Sequence, residues 1–155
     1  MDSSREKAKK NLFGEGGESK WVRFRDSFEW DGVSLDDYKK SSEDWHEVSR
    51  RVLLGEVEES LDFHLRYFEI GVGGYTTHET HQHTHVVIVF RGSGEVRIGS
   101  RVRRVRMGDV LYVAPEEAHQ FRNPDGKEPF GFFCIVEARR DRPETVPESG
   151  ELFDQ

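Results

Sequence analysis

The chain has 155 residues, 34% of them charged, and a formal net charge of −7 with histidines neutral. That length makes one domain with one core. The acidic balance argues against a general nucleic-acid binder, which needs a basic face, and no apolar run approaches the ~20 residues that span a bilayer. A single cysteine, Cys134, excludes an intrachain disulfide framework, and the polar N-terminus lacks a signal peptide's hydrophobic segment, so a cytoplasmic location is expected.

Residues 1–20 are polar and glycine-bearing and are expected to form a disordered tail. The next segment, 21–62, holds the β-type runs "WVRFR" and "RRVLLG". Between them, "VSLDDYKKSSEDWHEV" is the one stretch able to form a short helix, with a loop as the alternative. From Phe63 to Arg140 short strand-like runs follow one another: "DFHLRYFEI", "HVVIVF", "EVRIG", "RVRRVR", "DVLYVA", "HQFRN" and "FGFFCIVEA". Turn residues separate them, in "GVGG", "RGSG", "GSR", "RMGD", "APEE" and "NPDGKEP". In "RIGSRVRRVR" the arginines alternate with Val102 and Val105, the pattern of solvated strands around a turn. Residues 141–155 read as a C-terminal tail. Many short strands with no long helix predict an all-β sandwich or barrel.

Four of the seven histidines lie in "HETHQHTH", His78 to His85, which runs straight into the strand-like "VVIVF". On one straight strand Glu79, His81, His83 and His85 would share a face, but at ~3.3 Å per residue the first and last would stand roughly 20 Å apart. A transition metal needs every ligand atom within about 2.0–2.3 Å. The chain must therefore turn, and polar Gln82 to Thr84 is the place for it. One strand then ends near His81 and another begins near His85. His119, beyond a proline turn, is placed to join them from a neighbouring strand.

The spacing of these residues resembles that of the cupins. The family's first motif, Gly-x5-His-x-His-x3-Glu-x6-Gly, falls on Gly73, Glu79, His81, His85 and Gly92. The second, Gly-x5-Pro-x-Gly-x2-His-x3-Asn, falls on Gly108, His119 and Asn123, with Ala114 and Glu116 in place of Pro and Gly and Pro115 one place along. The resemblance spans about Phe63 to Glu137. It implies a double-stranded β-helix, the jelly-roll cupin barrel, with extra N-terminal strands. It also implies a divalent transition metal (Fe, Mn, Ni, Zn or Cu) held by Glu79, His81, His85 and His119. The family's first His is Glu79 here and its Glu is His85, so three imidazoles and one carboxylate remain with positions exchanged.

His83 ranks below these four as a ligand and is read as lining the mouth, and Glu79 has a second reading as an outer carboxylate orienting a ligating imidazole. His78 should face away from the site, His46 and His64 have no assigned partner, and Cys134 reads as a small buried residue. Of Arg66, Tyr67, Tyr75, Tyr112 and Gln120, one or two would line a substrate pocket. The leading expectation is a metal-dependent enzyme on a small organic molecule, of dioxygenase type. The alternatives are a non-catalytic metal or metabolite binder and a Lewis-acid isomerase, decarboxylase or lyase. The strands before Phe63 exceed a minimal barrel, and exposed edges are usually paired, so a homodimer with strands added across the partner is expected.

Overall fold

The computed structural model describes residues 19–40, 43–55 and 61–147; of the expected tails at 1–20 and 141–155, residues 1–18 and 148–155 lie outside those ranges, and the described part of the second contains a short strand, Glu144–Thr145. Among the described residues there is no helix. Thirteen strands form instead: β1 (Phe24–Arg25), β2 (Glu29–Trp30), β3 (Asp36–Asp37), β4 (His46–Leu54), β5 (Phe63–Tyr75), β6 (Glu79–Thr80), β7 (His85–Arg91), β8 (Ser93–Ile98), β9 (Arg101–Arg106), β10 (Val110–Val113), β11 (His119–Arg122), β12 (Phe130–Glu137) and β13 (Glu144–Thr145). Each β-type run read from the sequence overlaps one of them.

All the pairings are antiparallel. One run of neighbours is β3-β4-β5-β12-β7-β10, and the other is β9-β8-β11-β6-β13. The long β5 joins them: its body pairs with β4 and β12, and its last residue, Tyr75, reaches Arg122 of β11. The bend comes at Gly71 to Gly74. Gly73 takes φ +81°, where a side chain would be strained, and the amide of Gly73 donates to the carbonyl of Asn123. Asn123 is fully buried, and its Nδ2 donates to the carbonyls of Ile70 and Glu128, each at 3.0 Å, pinning this corner.

The sheet curls around Phe68, Ile70, Val87, Val89, Phe121, Phe130 and Phe132. Phe121 and Phe132 stack at 4.7 Å. A second cluster sits on the other side of β5. There Trp30, Leu53 and Tyr67 pack with Leu65, Phe90 and Phe133 beneath the β1–β2 hairpin. Both faces of β5 are therefore covered, which is why its sequence carries aromatics in both registers.

The segment considered for a helix forms β3, turns and the start of β4. Asp36 and Asp37 pair with Arg50 and Ser49, and Tyr38 meets Trp45 edge-to-face at 5.6 Å and packs on Phe68. Its apolar residues anchor a loop over one end of the barrel and form no helical stripe. The strands expected to add to a partner find neighbours within the chain: β1 pairs with β2, and β4 lies between β3 and β5.

Three motif glycines adopt left-handed backbone, Gly73, Gly92 (φ +62°) and Gly108 (φ +95°). So does Glu116 (φ +64°), which stands where the cupin motif has glycine. Its amide donates to the carbonyl of His81 at 2.7 Å, and its carbonyl accepts from Thr80 Oγ1 at 2.9 Å, so the position is held by backbone contacts. Glu116→Gly should keep both bonds, relieve the strain and raise stability by up to about 1 kcal/mol. A higher thermal midpoint at matched metal content is the expected result.

Candidate metal centre

β6 stops at Thr80, the chain turns, and β7 starts at His85, so the tract folds back where its spacing required. Backbone pairing sets Glu79 of β6 opposite His119 of β11. The segment after β12 closes over the turn. Thr145 of β13 pairs with Glu79, and the Asp141 carboxylate accepts from the amides of Gln82 and His83 and from His83 Nδ1, at 2.7–2.9 Å. The Gln82 amide, followed by the His83 imidazole and amide, holds Asp141 well below the usual carboxylate range.

His81, His85 and His119 bring their Nε2 atoms together. His81 Nε2 lies 2.7 Å from His85 Nε2 and 3.1 Å from His119 Nε2. The outer nitrogens decide what these contacts mean. His81 Nδ1 is 2.7 Å from the His83 carbonyl and His119 Nδ1 is 2.9 Å from the Glu117 carbonyl. A carbonyl can only accept, so each Nδ1 carries the ring proton and each Nε2 is a bare lone pair. Two lone pairs cannot hydrogen-bond to each other, so their approach calls for a cation between them. His85 turns its Nε2 to the bare Nε2 of His81, and its Nδ1 lies 2.8 Å from the Cys134 thiol, which burial keeps neutral and which can donate or accept. With metal–nitrogen bonds of about 2.1 Å, cis ligands on an octahedral ion stand about 3 Å apart, which the two contacts bracket. The three rings cross at 68–73°, an arrangement that lets all three lone pairs point at one ion.

Burial leads in lowering the pKa of each of these imidazoles. His81 falls to about 4, helped by His119 and His83. His85, with His119 and His81 beside it, goes far below its usual range, and His119 is also lowered. Neutral imidazole is the form that ligates.

Glu79 and His83 occupy opposite sides of this trio. A Glu79 oxygen lies within 4.8 Å of the ligand nitrogens of His81 and His119, but the carboxylate also pairs with Lys39. His83 is buried and comes within the same distance of His81 and His85. Its ring, however, stacks on His81 at 3.7 Å and 5°. Lone pairs lie in the ring plane, so two parallel stacked rings cannot both direct theirs at one ion. His83 therefore suits a bracing role, held by Asp141. Glu79→Ala should lower metal affinity more than His83→Ala, read by titration against a competing chelator. The reverse ranking would place the carboxylate outside the ligand sphere.

The trio opens into a cavity of about 210 Å³. Phe68, Val87, Phe121 and Phe132 form its apolar wall, while Lys39, Arg50, Arg66 and Arg140 bring positive charge. Cys134 is buried at this wall, between His85 and Arg66 Nη2 at 3.5 Å. Of the polar residues considered for a pocket, Arg66 is here; Tyr75 and Gln120 line a separate groove with His78, Tyr112 is exposed, and Tyr67 lies in the outer cluster. His46 is exposed beside Tyr75, and His64 accepts from Arg140 at 3.3 Å. Lys39, Arg50, Arg140 and Asp141 carried no signal in the sequence, because each lies outside the motifs and reaches the site only through folding.

Residues 66–136 match the cupin domain family. Over 127 residues the chain is 39% identical to a 1-methylthio-D-xylulose 5-phosphate methylsulfurylase from Rhodospirillum rubrum, covering 81% of this chain and 80% of that protein. Among solved structures, a cupin 2 conserved barrel domain protein from Rhodopseudomonas palustris superposes with a TM-score of 0.76 at 36% identity, covering 87% of this chain and 91% of the other. A cupin-2 domain protein from Rhodospirillum rubrum gives 0.72 at 38% identity, covering 85% and 86%. With the barrel, the histidine geometry and these relatives in agreement, the chain belongs to the cupin family.

Proposed function

We propose that this chain is a metal-dependent enzyme acting on a small phosphorylated ketose that carries a methylthio group, and that it passes this group to a thiol. The convergence of bare imidazole nitrogens at the end of a cavity carries the metal-enzyme part of the reading. The methylsulfurylase relative supports the substrate class, and the cationic lining suits an anionic ligand. In the balanced reaction a thiol sulfur bonds to the methylthio sulfur and the bond from that sulfur to C1 breaks. The electron pair left on C1 spreads into the neighbouring carbonyl as an enolate. A proton equivalent to that lost by the thiol returns to C1, giving a 1-deoxy ketose and a mixed methyl disulfide.

His81, His85 and His119 would hold a divalent ion, which would supply Lewis-acid polarisation of the substrate carbonyl. The protein's own part is to orient the substrate. The outer bonds of His81 and His119 keep their lone pairs aimed inward, the Asp141–His83 pair braces His81, and the aromatic wall excludes water from the developing enolate.

Dioxygenase-type chemistry is the rival, since the same imidazole set beside an apolar wall also suits a redox-active ion and O2. One assay separates them. Protein loaded with Mn(II), Fe(II) or Zn(II) is given 1-methylthio-D-xylulose 5-phosphate and a small thiol, under air and under argon. We expect methyl disulfide and 1-deoxy ketose in equal amounts in both atmospheres. Product that requires O2 would favour the dioxygenase, and no product with any metal would sink the methylthio-transfer reading.

For self-association, the outer face of β7 and β10 is the surface we propose. Val86, Ile88, Val110 and Tyr112 are exposed there and lie opposite one another in register. Val110→Lys should shift a dimer to monomer by light scattering.

A further inference from the structure

Three arginines from separate elements line the cavity beside the histidine trio. Arg50 comes from β4 and Arg66 from β5, while Arg140 follows β12 at the exposed mouth. They are close enough for Arg66 and Arg50 to help burial lower the pKa of Arg140.

Their partners do not neutralise them. Arg66 Nη2 reaches the Cys134 sulfur and its guanidinium lies 4.9 Å from the centre of the Phe68 ring. Arg140 Nη1 donates to His64 Nδ1 and to the carbonyls of Glu137 and Ala138. Arg50 Nε and Arg66 Nε are buried with no hydrogen-bond partner. Among the described residues, no carboxylate lies within ion-pairing distance of any of the three. The nearby acids are already engaged, Glu79 by Lys39 and Asp141 by the turn and His83. A cluster of uncompensated cations in a chain of net charge −7 has a strong physical demand for an anion, and guanidinium forks match the oxygens of a phosphate monoester in pairs.

We propose that Arg50, Arg66 and Arg140 form the phosphate subsite of this cavity, fixing the substrate's charged end while its carbonyl end faces His81, His85 and His119. This rests on the phosphorylated-ketose reading above. Arg66 is the central member, because the Cys134 thiol links it directly to His85, at 3.5 and 2.8 Å. The subsite therefore sets the substrate's register along the cavity.

The test is calorimetry on full-length, Mn(II)-loaded protein with D-xylulose 5-phosphate, D-xylulose and inorganic phosphate as probes. Wild type should bind the phosphate ester at least about tenfold more tightly than the free sugar. Arg66→Met and Arg140→Gln should each weaken ester binding about 10–100-fold, the range for hydrogen bonds to a charged group, with metal content and D-xylulose affinity unchanged. Arg66→Lys should recover part of the loss, and inorganic phosphate should compete with the ester in wild type alone. Arg140 is exposed, so its variant reports even if Arg66→Met disturbs folding. Equal binding of both sugars by wild type, or unaltered ester affinity in the Arg140 variant, overturns the proposal. Arginine-dependent ester binding without methylthio transfer would keep the subsite and remove the reaction. Transfer with an unchanged KM in the arginine variants would do the opposite.

Discussion

His119→Ala is expected to abolish both stoichiometric metal binding and turnover while leaving the barrel folded. The residue begins β11, faces Glu79 across the β6 pairing and places its bare Nε2 3.1 Å from that of His81. Its removal deletes one of three converging imidazole lone pairs and leaves two imidazoles with only the Lys39-paired Glu79 carboxylate beside them. Loss of an outer hydrogen-bond partner to a metal ligand typically costs about 10–100-fold in affinity, and loss of a ligand itself should exceed that. The fold should survive, because its core of Phe68, Phe121, Phe130 and Phe132 makes no use of the imidazole. Elemental analysis with a thermal melt checks both halves. Wild-type metal content in the variant would remove His119 from the ligand set, and a collapsed far-ultraviolet spectrum would make the residue structural.

Acid should act on the same cluster. Burial, with the neighbouring imidazoles, depresses the pKa values of His81, His85 and His119 in the folded chain, that of His81 to about 4. An unfolded histidine takes up its proton near ~6.5. Between those values the unfolded chain binds more protons than the folded one, so stability rises with pH. The stability of the metal-free protein should thus hold above about pH 6.5 and fall as pH drops from there toward about 4. Metal-loaded protein should show a further loss over the same range, since protons compete with the ion for the three lone pairs. Denaturant melts of both forms at a series of pH values would read this directly. A metal-free protein equally stable at pH 7 and pH 4.5 would contradict the buried neutral cluster. Substituting His85, the most strongly depressed of the three, should flatten the profile of the metal-free form.

Much of this molecule was legible in the linear chain because its signals are local. A strand declares itself by residues that fit a pleated surface between turn formers, and every run from "DFHLRYFEI" to "FGFFCIVEA" did so. The turn within "HETHQHTH" followed from the reach of an extended chain against the length of a metal–nitrogen bond, and β6 and β7 flank it as that argument required. The motif glycines fell where the backbone takes positive φ, and Glu116 showed its departure in the sequence before the strain could be seen.

What the folded structure alone decided depends on contacts between residues far apart in the chain. Periodicity along β5 marks two faces, but it cannot say that the hairpin around Trp30 covers one of them and builds a second core. "VSLDDYKKSSEDWHEV" was open to helix or loop until Tyr38 and Trp45 found Phe68 and β3 found β4. The ranking of His83 below His85 rested on its position in a turn; the physical ground for it, a ring lying flat on His81 and held by Asp141 from 58 positions away, appears only in three dimensions. Arg50, Arg66 and Arg140 belong to no motif. Their significance is that three like charges share one wall, and a sequence carries no measure of that distance.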